Sequence, residues 1–245
     1  MIPAAKSQLF ARWFAWSAER RIRSTFASVR IRGLESLAAR VAKEPVIVVS
    51  NHTSWWDALI VLQVCTRVLR IDAYAMMDAN NLRKLPFFAR VGAFGVDLSD
   101  PQDGARAIRY ATKLLDRRSR LVWIFAQGRE TPVTARPLAF RGGSAEIARV
   151  ARRTVVPAAL RYEHGALPEP TVYLAFGDAI LPDRDVRAGA RAHEAAVEGE
   201  LGRINQALVS GDEREFEAQY ERTPSLLFAV AQRALGFLTR PRTLL

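Results

Sequence analysis

Two short runs constrain this chain more than any other feature: Pro45–Ser50 (PVIVVS) and Leu121–Phe125 (LVWIF). Neither contains a charge, and both are rich in β-branched or aromatic residues, so each reads as a strand buried on both faces. Between and beyond them the pattern alternates. Leu59–Leu69 reads as a helix, Asp72–Met77 as a strand, Leu85–Val91 as a helical turn and Gly92–Asp97 as a third strand. Gly104–Arg117 is then a helix, with Ala107, Ile108, Ala111, Leu114 and Leu115 on its buried side. Helices at Gly143–Arg152 and His193–Leu208 and strands at Val155–Arg161 and Thr171–Phe176 complete the series. Strand–helix alternation on this scale predicts an α/β domain around a central mixed, largely parallel β-sheet flanked by helices.

The ends differ from the middle. Residues 7–27 lack an internal breaker and place Leu9, Phe10, Trp13, Phe14 and Ile22 on one side, with Arg12, Arg20, Arg21 and Arg23 on or beside the other. Rings combined with arginine suit a helix lying at a membrane surface; the same face would equally pack on the protein's own core. A second apolar helix, with Arg233 inside it, is expected from Pro224. The expected organisation is therefore an amphipathic membrane-surface helix in residues 1–32, the α/β domain in 33–210, and a C-terminal apolar helix in 211–245. No stretch reaches the ~20 apolar residues of a spanning helix, and the N-terminal residues lack the features of a signal peptide. Net charge is +11. The lysines are Lys6, Lys43, Lys84 and Lys113, so arginine supplies most of the positive charge. Candidate partners are an anionic bilayer, nucleic acid or an acidic substrate.

Chemistry concentrates in residues 46–61. A buried strand ends at Ser50, a polar elbow follows at Asn51–His52–Thr53–Ser54, and a helix begins near Trp55. Ligands of α/β folds bind beyond the carboxyl ends of the strands, where His52 would stand. Five positions on, Asp57 would lie far from His52 around a continuous helix. With His52 in the elbow and Asp57 in the first helical turn, the two can meet. The carboxylate then holds one ring nitrogen and leaves the other free to take a proton. An ordinary alternative exists, since Ser54-x-x-Asp57 also fits a capping box.

Asn51-His52-Thr53-Ser54-Trp55-Trp56-Asp57 resembles the N-H-x-S-x-x-D block of the glycerolipid acyltransferase superfamily, which includes lysophosphatidate and glycerol-phosphate acyltransferases. Three similar blocks follow in order: Gly92-Ala93-Phe94-Gly95-Val96, Phe125-Ala126-Gln127-Gly128 and Val155-Val156-Pro157-Ala158-Ala159. The resemblance covers roughly residues 40–180. It implies that His52 deprotonates an acceptor hydroxyl, that Asp57 orients the imidazole, and that the hydroxyl attacks an acyl thioester of coenzyme A or acyl carrier protein. No metal or redox cofactor is implied. Expected partners are that thioester, a lipid acceptor, a membrane surface and, as one donor, acyl carrier protein. The expected location is cytoplasmic, at the inner face of the membrane.

Departures bear on the acceptor. Asp97-Leu98-Ser99 stands where the family's second block usually ends in a basic residue that helps bind an acceptor phosphate. Gln127 replaces the third block's glutamate, and Arg129-Glu130 replaces its Thr-Arg pair. The resemblance puts Asn51, Ser54, Gln127 and Gly128 at the substrate. Arg129, Arg136 and Arg141 are candidate replacement cations, and the Arg141–Ser144 turn before a helix offers amides to an anion. The acceptor is accordingly a lysophospholipid, a glycolipid or another lipid-like alcohol. Trp55, Trp56, Leu59 and Pro86-Phe87-Phe88 are candidates for an acyl groove, although aromatics at such spacings are more often core. His164 and His193 read as solvated. Cys65, the single cysteine, has no internal partner. The competing reading is a basic module that binds anionic lipid or nucleic acid without chemistry, but no nucleic-acid motif accompanies the charge.

Overall fold

The apolar runs form the middle of one sheet, and the segments between them fold as helices. The computed structural model describes residues 1–165 and 167–222, so the helix expected from Pro224 lies outside the described residues. In chain order come α1 (Gln8–Thr25), β1 (Ser28–Arg32), α2 (Leu34–Lys43), β2 (Val46–Ser50) and α3 (Trp56–Gln63), which passes into a π-helical turn (Val64–Val68). Next are β3 (Asp72–Asp78), α4 (Ala79–Lys84), α5 (Phe87–Val91), β4 (Ala93–Val96), α6 (Pro101–Leu114) and β5 (Arg120–Phe125). The remainder is α7 (Gly143–Ala151), β6 (Val155–Glu163), β7 (Thr171–Phe176), α8 (Val186–Ser210) and β8 (Glu217–Glu221).

The strands lie in the order β4-β3-β5-β2-β6-β7-β1-β8. From β4 to β6 every pairing is parallel, and so is β1 with β7; β6–β7 and β1–β8 are antiparallel. A mixed, mostly parallel sheet in a single α/β domain is thus the architecture. Period-two alternation divides its side chains between two layers. Val46, Val48, Leu121, Trp123, Val156 and Ala158 face the layer holding residues of α1, α2 and α3. Ile47, Val49, Val122, Ile124, Val155 and Ala159 face the layer of α6, α7 and α8. The middle of each central strand is therefore apolar on both sides, and its polar residues stand at the strand ends.

The organisation differs from the expected one at both boundaries. Ser28–Arg32 is a strand pairing with β7 and β8, so the chain enters the sheet inside the segment read as a terminal helix. Glu217–Glu221 likewise enters the sheet as β8. Acidic residues of α8 and of the segment between α8 and β8 accompany this entry. Arg30 meets Glu213 at 3.2 Å, and Arg32 meets Glu200 at 3.0 Å and Glu215 at 2.7 Å. The arginines therefore sit beside acidic partners distant in sequence. In α1 the buried residues are Ala11, Ala15, Ala18 and Ile22, whereas Leu9, Trp13 and Trp16 are 82%, 59% and 49% exposed. Small residues let the helix lie close to the domain and turn its larger side chains outward. His193 is another difference: it is buried on α8, with Nδ1 3.1 Å from Ser144 Oγ. Burial lowers its pKa to about 4, so it is neutral near pH 7.

Gly33, between β1 and α2, has φ +74°, and a Cβ there would lie 2.4 Å from the Phe176 carbonyl oxygen. Both the left-handed backbone and the contact exclude a side chain. Gly33→Ala is expected to destabilise the fold by about 1–3 kcal/mol, read as a lower urea midpoint; an unchanged midpoint would contradict this constraint.

Candidate active site

The site begins where β2 stops. Asn51 is fully buried, its amide nitrogen donating to the Leu160 carbonyl at 2.8 Å and its oxygen accepting from the Leu160 N–H at 2.8 Å. The side chain thus makes the pair of bonds to β6 that a strand backbone would make, and the main chain is released to turn. Ser50 also points inward, accepting from Trp123 Nε1 at 2.8 Å.

His52 is held from several sides. Its N–H donates to Gln127 Oε1 at 2.6 Å, and its carbonyl accepts from the Thr131 N–H at 2.8 Å. Its ring stacks on Phe125 with centroids 4.3 Å apart and planes 23° apart. Nδ1 lies 2.7 Å from Asp57 Oδ2. Asp57 is wholly buried in the first turn of α3. The same Oδ2 accepts from the N–H of Thr53 at 2.6 Å and of Ser54 at 3.1 Å. Turn-capping and histidine-holding, alternatives in the sequence, are performed here by one carboxylate oxygen. Its other oxygen, Oδ1, accepts from the Tyr162 hydroxyl at 2.6 Å. Burial first, then the charge of Asp57, pushes the phenol pKa well above its ordinary value, so the phenol retains its proton and donates. With Nδ1 occupied, Nε2 is the ring nitrogen available to exchange a proton with a ligand.

His52 stands on the wall of a cavity of ≈ 590 Å³. Its largely apolar lining runs from Trp55, Phe88 and Leu98 to Val61, Leu62 and Cys65 at the π-helical turn. Of the suggested groove residues, Trp55 and Phe88 line this space, while Trp56 and Leu59 belong to the core and Phe87 packs on Phe14 at 5.3 Å. A larger cavity of ≈ 740 Å³ beside α1 contains neither His52 nor Asp57.

Gly128, Arg129 and Arg141 line the His52 cavity, both arginines being exposed. Gly128 has φ +71°, and a Cβ would come within 3.1 Å of Leu98 Cδ1 and 3.2 Å of Arg141 Nε. This close approach brings the arginine stem against the loop. Arg136 is placed elsewhere: it donates to the carbonyls of Val133 and Ala135 at 2.9 and 2.7 Å and lies 3.5 Å from Glu198. Arg136 does not line the His52 cavity. Asn51 and Ser54 are likewise off the wall, Asn51 spent on β6 and Ser54 Oγ accepting from the Trp56 N–H at 3.3 Å. Gln127 acts on the His52 backbone. The residue that motif spacing did not single out is Tyr162, whose only sequence signal is its place just after the fourth block. Among the described residues no group of three or more His, Cys, Asp or Glu side chains gathers as a metal site.

Asn51→Ala would strip partners from the buried N–H and carbonyl of Leu160. The expected cost is about 2–6 kcal/mol, taking ~1–3 for each of the two unsatisfied groups, measured by urea unfolding. A loss under about 0.5 kcal/mol would mean that β6 finds other partners.

The family model described as Acyltransferase matches residues 28–161, more than half of the chain and inclusive of His52 and Asp57. A search of curated proteins gives no significant match. Among solved structures, the chain is similar to the 1-acyl-sn-glycerophosphate (LPA) acyltransferase PlsC from Thermotoga maritima, at 18% identity and a TM-score of 0.55, over 77% of this chain and 78% of that one. At that identity the likeness is one of fold. By its family match, its sheet and its order of blocks, this chain belongs to the Acyltransferase family.

Proposed function

We propose that the chain transfers a fatty acyl group from a thioester of coenzyme A or acyl carrier protein to the hydroxyl of a lipid-like acceptor. The observation that carries this reading is the His52 Nδ1–Asp57 Oδ2 bond of 2.7 Å at the wall of an apolar cavity. In the proposed reaction Nε2 of His52 takes the acceptor's hydroxyl proton as its oxygen attacks the thioester carbonyl. Collapse of the tetrahedral intermediate expels the thiolate, which leaves as the thiol with the proton from the imidazolium. Asp57 fixes the ring tautomer and stabilises the transient cation. The acyl tail lies along the apolar wall toward Cys65, excluded from water.

Arg129 and Arg141 are the proposed phosphate ligands at the mouth, whether the phosphate belongs to the acceptor or the donor. Asp97-Leu98-Ser99 and Glu130 stand where the family pattern carries cations, which favours an acceptor range reaching beyond 1-acylglycerol 3-phosphate to glycolipids and other alcohols. Supporting attachment to the inner face of the membrane are Leu9, Trp13 and Trp16, exposed on α1 together with Arg12. No helix among the described residues is long and apolar enough to cross a membrane.

Thiol release from acyl-coenzyme A or acyl carrier protein, run with phosphorylated and phosphate-free acceptors, tests the chemistry. His52→Ala should lower turnover on the order of 10³-fold with an unchanged circular dichroism spectrum; activity within tenfold of the parent would remove His52 from the mechanism. For the membrane, Trp13→Ala/Trp16→Ala should reduce flotation with anionic liposomes several-fold without lowering the melting temperature. Equal flotation of parent and variant would exclude this face as the contact.

A further inference from the structure

Asp57 is a carboxylate with no solvent contact, and its two oxygens are served unequally. Oδ2 receives His52 Nδ1 and the N–H groups of Thr53 and Ser54, all from the elbow that contains them. Oδ1 has a single donor among the described residues, the Tyr162 hydroxyl at 2.6 Å. That donor comes from a different element, 105 positions away in sequence, near the end of β6. A carboxylate oxygen carries no proton, so the hydrogen between the two atoms is the phenol's and the bond has one direction.

The phenol is itself held in place. Its ring packs on Phe26, with centroids 5.6 Å apart, and Phe26 meets Trp56 edge-on at 5.0 Å. These contacts are apolar and leave the hydroxyl one polar task. The charged and titratable groups that act on it are Asp57 from α3, with His52 bonded to that carboxylate, and Glu130 from the loop after β5.

We propose that Tyr162 is a positioning residue for the His52–Asp57 pair: its hydroxyl locks the rotation of the Asp57 carboxylate so that Oδ2 faces Nδ1, and it disperses the carboxylate charge that His52 feels. The inference rests on the proposed role of His52 and extends the pair to a three-member relay in which the phenol never gives up its proton. The direction of its effect follows. Without the phenol proton at Oδ1, the undispersed charge holds the imidazolium more tightly and the carboxylate itself becomes easier to protonate. Both changes move the acid limb of the pH–rate profile upward.

The test is the pH dependence of kcat/KM in the thiol-release assay for the parent, Tyr162→Phe, Phe26→Leu and His52→Ala. Tyr162→Phe keeps the ring and removes one oxygen. It should lower kcat roughly tenfold, the scale of one charge-assisted hydrogen bond, with KM little changed and the acid limb displaced to higher pH. Phe26→Leu disturbs the packing of the same ring but no hydrogen bond, and should lower the melting temperature while leaving the limb in place. Introducing 3-fluorotyrosine at position 162 preserves shape and makes the phenol a stronger donor, so the limb should move the opposite way, to lower pH. This arm carries the test if the phenylalanine variant does not fold. A Tyr162→Phe profile superimposable on the parent's, an unmoved limb with 3-fluorotyrosine, or the same displacement from Phe26→Leu would each overturn the proposal. Persistent turnover in His52→Ala would instead overturn the functional reading beneath it, so the two failures are distinguishable.

Discussion

The buried carboxylate of Asp57 organises this molecule's proposed chemistry. A charge without solvent contact is tolerated in a protein interior only when hydrogen bonds replace its lost hydration. Here four donors do so: two backbone amides of the elbow, the His52 ring and the Tyr162 phenol. The demand is mutual. The amides can reach Oδ2 only if Thr53 and Ser54 curl back over the first turn of α3, and that curl aims the His52 ring at the cavity. One polar group thus shapes the elbow, orients the imidazole and ties the start of α3 to the far end of β6.

Two side chains make this arrangement compatible with the sheet. Asn51 stands in for backbone on the β6 side, and Gln127 accepts the His52 N–H on the β5 side. The elbow consequently leaves the sheet without abandoning the hydrogen bonds of the neighbouring strands. Gln127 also explains how a departure from the usual glutamate is accommodated: the bond it forms uses an amide oxygen, which accepts as a carboxylate oxygen would. The Gln127 departure therefore preserves the local geometry. No comparable stand-in occurs at Asp97-Leu98-Ser99 or Glu130, where the family pattern usually carries a cation.

α1 divides its work in a similar way. Ala11, Ala15, Ala18 and Ile22 pack against the domain, and the residues left outside include Leu9, Trp13 and Trp16 beside several arginines. A helix needing only to close the core would place Leu9, Trp13 and Trp16 inward, because their burial would stabilise the fold by more than alanine can. Their outward position gives the helix two faces, one structural and one available to another phase.

Much of the fold was legible because the central strands are buried on both faces: Val46–Val49 and Leu121–Phe125 leave no other economical way to hide their side chains. The His52–Asp57 pair was legible because both residues belong to one turn, so local spacing determines whether they can meet. Local patterning thus accounts for the buried strands, the elbow and its five-position pair. Tertiary structure alone decided the rest. β1 and β8 fall in the segments read as terminal helices until they pair in the sheet, with Glu213, Glu200 and Glu215 beside Arg30 and Arg32, and His193 reads as solvated until α8 turns it onto Ser144. Tyr162 lies just past the expected strand Val155–Arg161 and gains its partner only when β6 lies beside β2. Those partners are separated by tens to hundreds of residues, and a pattern of period two or 3.6 carries no information about contacts at that range.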